Sequence, residues 1–73
     1  MATVVLRVRF VGGNQIDVVY DDPGSEQDEA VEHAIATLTH ESGALRTTHG
    51  DRLVVIYGRG VAALEIAPRG AVL

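Results

Sequence analysis

Leu53-Val54-Val55-Ile56-Tyr57 is the stretch on which the reading of this chain turns. Three of its five residues are β-branched and one is aromatic, the types that suit a pleated strand. A strand with one wet face alternates apolar and polar residues, whereas one covered on both faces is apolar throughout. This stretch does not alternate, so both of its faces are expected to be covered. Its flanks are turn signals. Gly50-Asp51 suits a two-residue type II′ turn with glycine first, and Gly58-Arg59-Gly60 reads as another turn. A short strand over Ala44–Thr48 therefore precedes it, and a last strand over Val61–Ile66 follows, stopped by Pro68.

Toward the N-terminus the pattern is cleaner. Over Thr3–Phe10, Val4, Leu6, Val8 and Phe10 share one face, with Val5, Arg7 and Arg9 on the other. Ile16, Val18 and Tyr20 repeat the alternation after Gly12-Gly13-Asn14. A three-residue loop places Phe10 opposite Ile16, Val8 opposite Val18, and Arg9 opposite Asp17 as a cross-strand ion pair. Asp21-Asp22-Pro23-Gly24 is a turn cluster. Ser25 is the expected N-cap of a helix from about Glu26 to about Glu41, whose first turn is acidic, as the helix dipole favours. Val31, Ala34, Ile35 and Leu38 form its apolar stripe, and Gly43 is its expected stop.

The expected fold is a two-layer α+β domain: a four- to five-stranded, mainly antiparallel sheet with one helix on one face. The alternative is a β-grasp, ubiquitin-like sheet with parallel central strands, should residues 44–48 be loop. Residues 1–73 make a single domain, with 69–73 as a loose tail.

One helix covers one face. Pairing the later strands in register puts Leu45, Val54, Ile56, Leu64 and Ile66 toward the helix. The other face collects Val5, Val19, Leu53, Val55, Tyr57, Val61 and Ala63 among Arg7, Arg9, Asp17, Arg46 and Glu65. Patches of this kind usually mark interaction surfaces. The other readings are that residues 67–73 fold back over the face, or that it is simply exposed.

Composition narrows the functions. The chain has 73 residues, no cysteine and a net charge of -4, with arginine as its only cationic residue apart from histidine. Disulfides, thiolate-held zinc and iron–sulfur clusters are excluded. No apolar run approaches a membrane span. Arg7 and Arg9 interrupt the one segment that resembles a leader, and a cytoplasmic location is expected. The acidic balance argues against nucleic acid, whose binding rests on phosphate neutralisation. Among aromatics only Tyr57 is left free to stack on a base.

The chemistry-bearing residues form no catalytic set. His33 and His40 stand seven apart on the helix, wider than the i, i+4 spacing of zinc-binding histidines, and His49 precedes a turn. Asp21, Asp22, Glu26, Asp28 and Glu29 lack the spacing of a calcium loop. Neither glycine loop opens onto a helix, as a phosphate loop must. No catalytic, cofactor or metal residues are assigned.

Gly50-Asp51-Arg52-Leu53-Val54-Val55-Ile56 through Val61-Ala62-Ala63-Leu64-Glu65-Ile66 resembles the closing hairpin of small actinobacterial proteins of unknown function. Length and element order are similar over most of the chain, and the resemblance implies no site. Ubiquitin-like proteins share the length and the hairpin-then-helix opening. A carrier of that kind should finish in Gly-Gly, whereas this chain finishes Arg69-Gly70-Ala71-Val72-Leu73.

The expected function is a non-catalytic module that associates with itself or another protein through the uncovered face. The alternatives are a nucleic-acid or anion-binding accessory protein using Arg7, Arg9 and Arg46, and a ligand-binding protein or enzyme with its site at a subunit interface.

Overall fold

In the computed structural model, which describes residues 2–67, the alternation of the first strand is realised residue by residue. Ala2, Val4, Leu6 and Val8 of β1 (Ala2–Phe10) are buried, while Thr3, Arg7 and Arg9 are exposed. β2 (Gln15–Asp22), α1 (Gln27–Thr39), β3 (Ala44–His49), β4 (Arg52–Tyr57) and β5 (Val61–Ile66) follow, with one 3₁₀ turn at Gly58–Gly60 between the last two strands. The five strands form one sheet in the order β4-β3-β2-β1-β5. Every pairing is antiparallel, so the β-grasp arrangement is not adopted. No helix among the described residues is long and apolar enough to cross a membrane.

The core fills the space between α1 and the inner face of the sheet. Ala30, Ala34 and Leu38 of the helix meet Val4, Leu6, Val8, Val18, Leu45 and Ile56. Full burial of an aliphatic side chain stabilises by about 1.5–3 kcal/mol, so Leu6, Val8, Val18 and Ile56 are the principal contributors. Thr47 is the buried polar residue, and its hydroxyl donates to the Val54 carbonyl at 2.7 Å. The helix stripe sits one position from the expected one: Ala30 is buried, while Ile35 is 42% exposed. Small alanines let the helix lie close to the sheet, and Ile35 falls at the margin.

Two local expectations are corrected. The helix is capped by Glu26 rather than Ser25, whose backbone N–H donates instead to the Asp22 carbonyl at 3.3 Å within the Pro23-Gly24 turn. Glu29 Oε1 accepts from the Glu26 backbone N–H at 3.1 Å, the return half of a capping box. The three-residue loop of the first hairpin sits one position earlier than expected, which shifts the register by two, with Val8 opposite Ile16 and Arg7 opposite Asp17. Phe10 and Asn14 close a three-residue loop, Val11–Gly13, through Phe10 N–H to Asn14 O at 2.8 Å. A slip of two keeps every side chain on its face, so face assignment survives while partner assignment does not. The Gly50-Asp51 turn is as expected, with His49 opposite Arg52 and Gly50 at φ +62°.

The larger correction concerns Gly58–Gly60. It does not close a hairpin between β4 and β5; it carries the chain from one edge of the sheet to the other. In a flat sheet those edges lie about 19 Å apart, four strand spacings of roughly 4.8 Å. Four residue steps span at most about 14 Å, and a 3₁₀ turn shortens them further. The sheet must therefore roll around the helix. The turn is pressed onto the helix C-terminus: a Cβ on Gly58 would lie 2.2 Å from His40 O and 2.8 Å from Leu38 O. Gly58→Ala is expected to destabilise the fold by about 3 kcal/mol, the upper end of the overpacking range. Gly12→Ala, with no atom within 4 Å of its Cβ, should change stability far less. Urea denaturation of both variants checks this.

Candidate functional site

The outer face of the sheet is built by residues one removed from the core positions. One lateral row crosses four strands in register: Leu53 opposite Thr48, Thr48 opposite Val19, Val19 opposite Val5. At the β5 side the row is continued by Ala67, whose N–H donates to Val5 O at 3.0 Å. Val5 and Val19, flanked by strands on both sides, are half-buried. Leu53 is 64% exposed, Tyr57 54% and Val55 37%. These three lie along β4, where only one neighbouring strand shields them. Arg59 leans back over the Tyr57 ring, its guanidinium carbon 5.9 Å from the ring centroid.

Beside the apolar row runs a row of charges. Arg7 stands between Asp17 on β2 and Glu65 on β5, opposite both. Its Nε donates to Asp17 Oδ1 at 2.8 Å and its Nη2 to Oδ2 at 3.2 Å, a bidentate pair. Arg9 Nε donates to Glu65 Oε2. The guanidinium hydrogen bond holds the Asp17 carboxyl below its ordinary range, and Asp17 raises Arg7 in return. The expected Arg9–Asp17 pair is thus replaced by two pairs, Arg7–Asp17 and Arg9–Glu65, because the hairpin register moved by two. Both arginines are neutralised in place.

Of the residues assigned to this face from sequence, the structure brings Val5, Arg7, Arg9, Asp17, Val19, Leu53, Val55, Tyr57, Ala63 and Glu65 to it. Val61 is a correction. Ala63 pairs with Arg9 and Val61 with Phe10, so two steps on β5 match one on β1 and Ala62 is the extra residue of a bulge. The bulge turns Val61 to the helix side, where it packs against the core and lines a groove with Ile35 and Leu38. The suggestion that residues 67–73 cover the face falls, beyond Ala67, outside the described residues.

Where the two rows meet, Val5, Arg7, Asp17, Glu65, Ile66 and Ala67 line a shallow basin of about 250 Å³, smaller than the roughly 300–1,000 Å³ of ligand pockets. Two of the three histidines have partners. His33 Nδ1 lies 2.5 Å from Asp22 Oδ2, tying α1 to the end of β2, and His49 Nδ1 lies 2.5 Å from the Asp17 carbonyl. The acidic cluster is dispersed into such roles, with Asp21 accepting from Thr3 Oγ1 at 2.7 Å. No group of three or more potential metal ligands occurs among the described residues.

No known protein family, curated protein or solved structure matches this chain.

The Asp17 pair sets a pH dependence. Its carboxyl is lowered in the folded state from 3.8, so the pair's contribution is present above that value and lost as pH falls through and below it. Asp22, lowered chiefly by its hydrogen bond to His33, behaves alike. Asp17→Asn is expected to be less stable than the parent at neutral pH, with a gap that narrows as pH falls below about 4. Thermal melts from pH 7 to pH 3 read the convergence.

Proposed function

We propose that this chain is a non-catalytic interaction module that associates with a second copy of itself through the β4 side of the outer sheet face. The observation that carries the reading is the exposure of Leu53, Val55 and Tyr57, three large apolar side chains on one strand of a face that no described element covers. A contiguous apolar patch bordered by paired charges is the usual surface of a protein–protein contact. Of the three arginines a polyanion would use, Arg46, opposite Val55, is in no ion pair among the described residues, but Arg7 and Arg9 each already hold a carboxylate, so phosphate contacts there would have to displace it. The size of the chain points the same way. A domain near 70 residues buries only about 60% of its unfolded surface, and small scaffolds without disulfides or metals commonly gain stability by oligomerising.

The test is the mass in solution. Light scattering at tens of micromolar should return a mass above that of one 7.8 kDa chain. Val55→Asp should bring it down to one chain without unfolding, because a carboxylate at this partly exposed site is hydrated in the monomer and stranded at an interface. The expected cost is about 3 kcal/mol of association, on the order of a hundredfold in Kd. A parent chain that is strictly monomeric under these conditions overturns the reading.

A further inference from the structure

We infer that the contact is made by the free edge of β4, which pairs antiparallel with the same strand of a second copy about a two-fold axis at Val55. The inference rests on the self-association proposed above and adds its geometry. β4 is an edge strand, hydrogen-bonded among the described residues to β3 alone. The phase of its ladder follows from one bond. Gly58 N–H donates to Gly43 O at 2.9 Å, which makes that pair a bonded one. Bonded and non-bonded pairs alternate, so Arg52, Val54 and Ile56 turn their main-chain groups to β3. The Thr47 hydroxyl bond to Val54 O agrees with this phase. Leu53 and Val55 therefore turn both N–H and C=O outward, and Tyr57 its N–H, while the Tyr57 carbonyl opens the 3₁₀ turn. The residues with exposed apolar side chains are the same ones that offer free main-chain donors and acceptors.

Edges of this kind are normally guarded by a charge, a proline or a bulge. β5, the other edge, has two such guards: the bulge at Ala62 and the Arg9–Glu65 pair on its outer face. Between Leu53 and Tyr57 there is none. Three registers let the outward residues bond to one another, and charge selects among them. An axis at Val55 sets Leu53 opposite Tyr57 of the second copy and brings Asp51 toward Arg59, twice by symmetry. An axis at Val54 would place Asp51 opposite Tyr57, and one at Ile56 would place Leu53 opposite Arg59. Only the first overlaps the whole apolar stretch and matches its flanking charges. It forms about four main-chain hydrogen bonds and joins the two outer faces into one.

The chain has no cysteine, so a single introduced thiol is diagnostic. At a bonded pair the two Cα atoms lie about 5.5 Å apart, within disulfide reach. Val55→Cys should form a covalent dimer under mild oxidation. Leu53→Cys should not, because the axis sets its two copies roughly 14 Å apart, four residue steps. Val55→Pro removes an N–H that the β3 ladder does not use, a position an edge strand tolerates, and should give a folded monomer. If the parent is a dimer, yet Val55→Cys fails to cross-link and Val55→Pro remains dimeric, the edge pairing is wrong while self-association stands. If the parent is monomeric, both fall. Should Val55→Pro not fold, the two cysteine variants decide between them.

Discussion

Three residues between Tyr57 and Val61 constrain everything else in this fold. They must join the two outermost strands of a five-stranded sheet, and a flat sheet puts those strands farther apart than the link can reach. Rolling is the only solution, and it decides which side the helix takes. A rolled sheet has a concave side, where side chains converge on α1, and a convex side, where they spread. Gly58 is required at the seam because the turn rests against the carbonyls that end the helix. The same link makes β4 and β5 edges instead of neighbours, so the most apolar strand of the chain ends with one side unpaired.

Curvature and strand order together explain the gradient of exposure on the convex face. Val5 and Val19 occupy the two strands nearest the middle and are half-buried by their neighbours alone. Leu53, Val55 and Tyr57 have neighbours on one side only. The charged row divides the remaining surface. Arg7 lies opposite two carboxylates, one on each flanking strand, and its planar fork engages Asp17 through two nitrogens. Such an exposed pair contributes little to stability. Its larger effect is to make that half of the face neutral and hydrated, confining the sticky surface to the β4 side.

How much of this could be read from the sequence depends on the period of the signal. Strand alternation has period two, and it placed nearly every side chain on its correct face even where the partner was wrong, as at Arg7 and Asp17. Face is a local property; partner depends on where the loop sits, and Val11 through Asn14 admit a three-residue loop at either of two positions. Val61 was misplaced because a bulge inserts one residue without any mark in composition: Ala62 looks like an ordinary strand alanine. The link at Gly58-Arg59-Gly60 is illegible for a related reason. A glycine-flanked turn announces a change of direction and says nothing about which strand the chain goes to next. Ala30 gives little signal because alanine is weakly apolar, and close helix–sheet packing, not hydrophobicity, selects it. On the candidate face, the apolar character of residues 53–57 was plain from sequence. That they form an edge was not, since strand order is set by long-range pairing.

The two edges of the sheet are not equivalent, and the difference bears on what kind of assembly the proposed contact would make. A strand that pairs with its own copy about a two-fold axis uses up that edge in both molecules. Growth could continue only through β5, whose bulge at Ala62 interrupts the straight run of main-chain groups another strand would need, and whose Glu65 is engaged by Arg9. One edge is open and apolar, the other is twisted and charged. A head-to-tail arrangement would need both to be sticky and would build rings or filaments. For a chain of this size, shielding the open flanks of Leu53, Val55 and Tyr57 with their counterparts enlarges the apolar area removed from water and stabilises the fold by mass action. The same residues left uncovered would be an aggregation hazard, so closing on a second copy resolves a problem that the short link at Gly58–Gly60 itself creates.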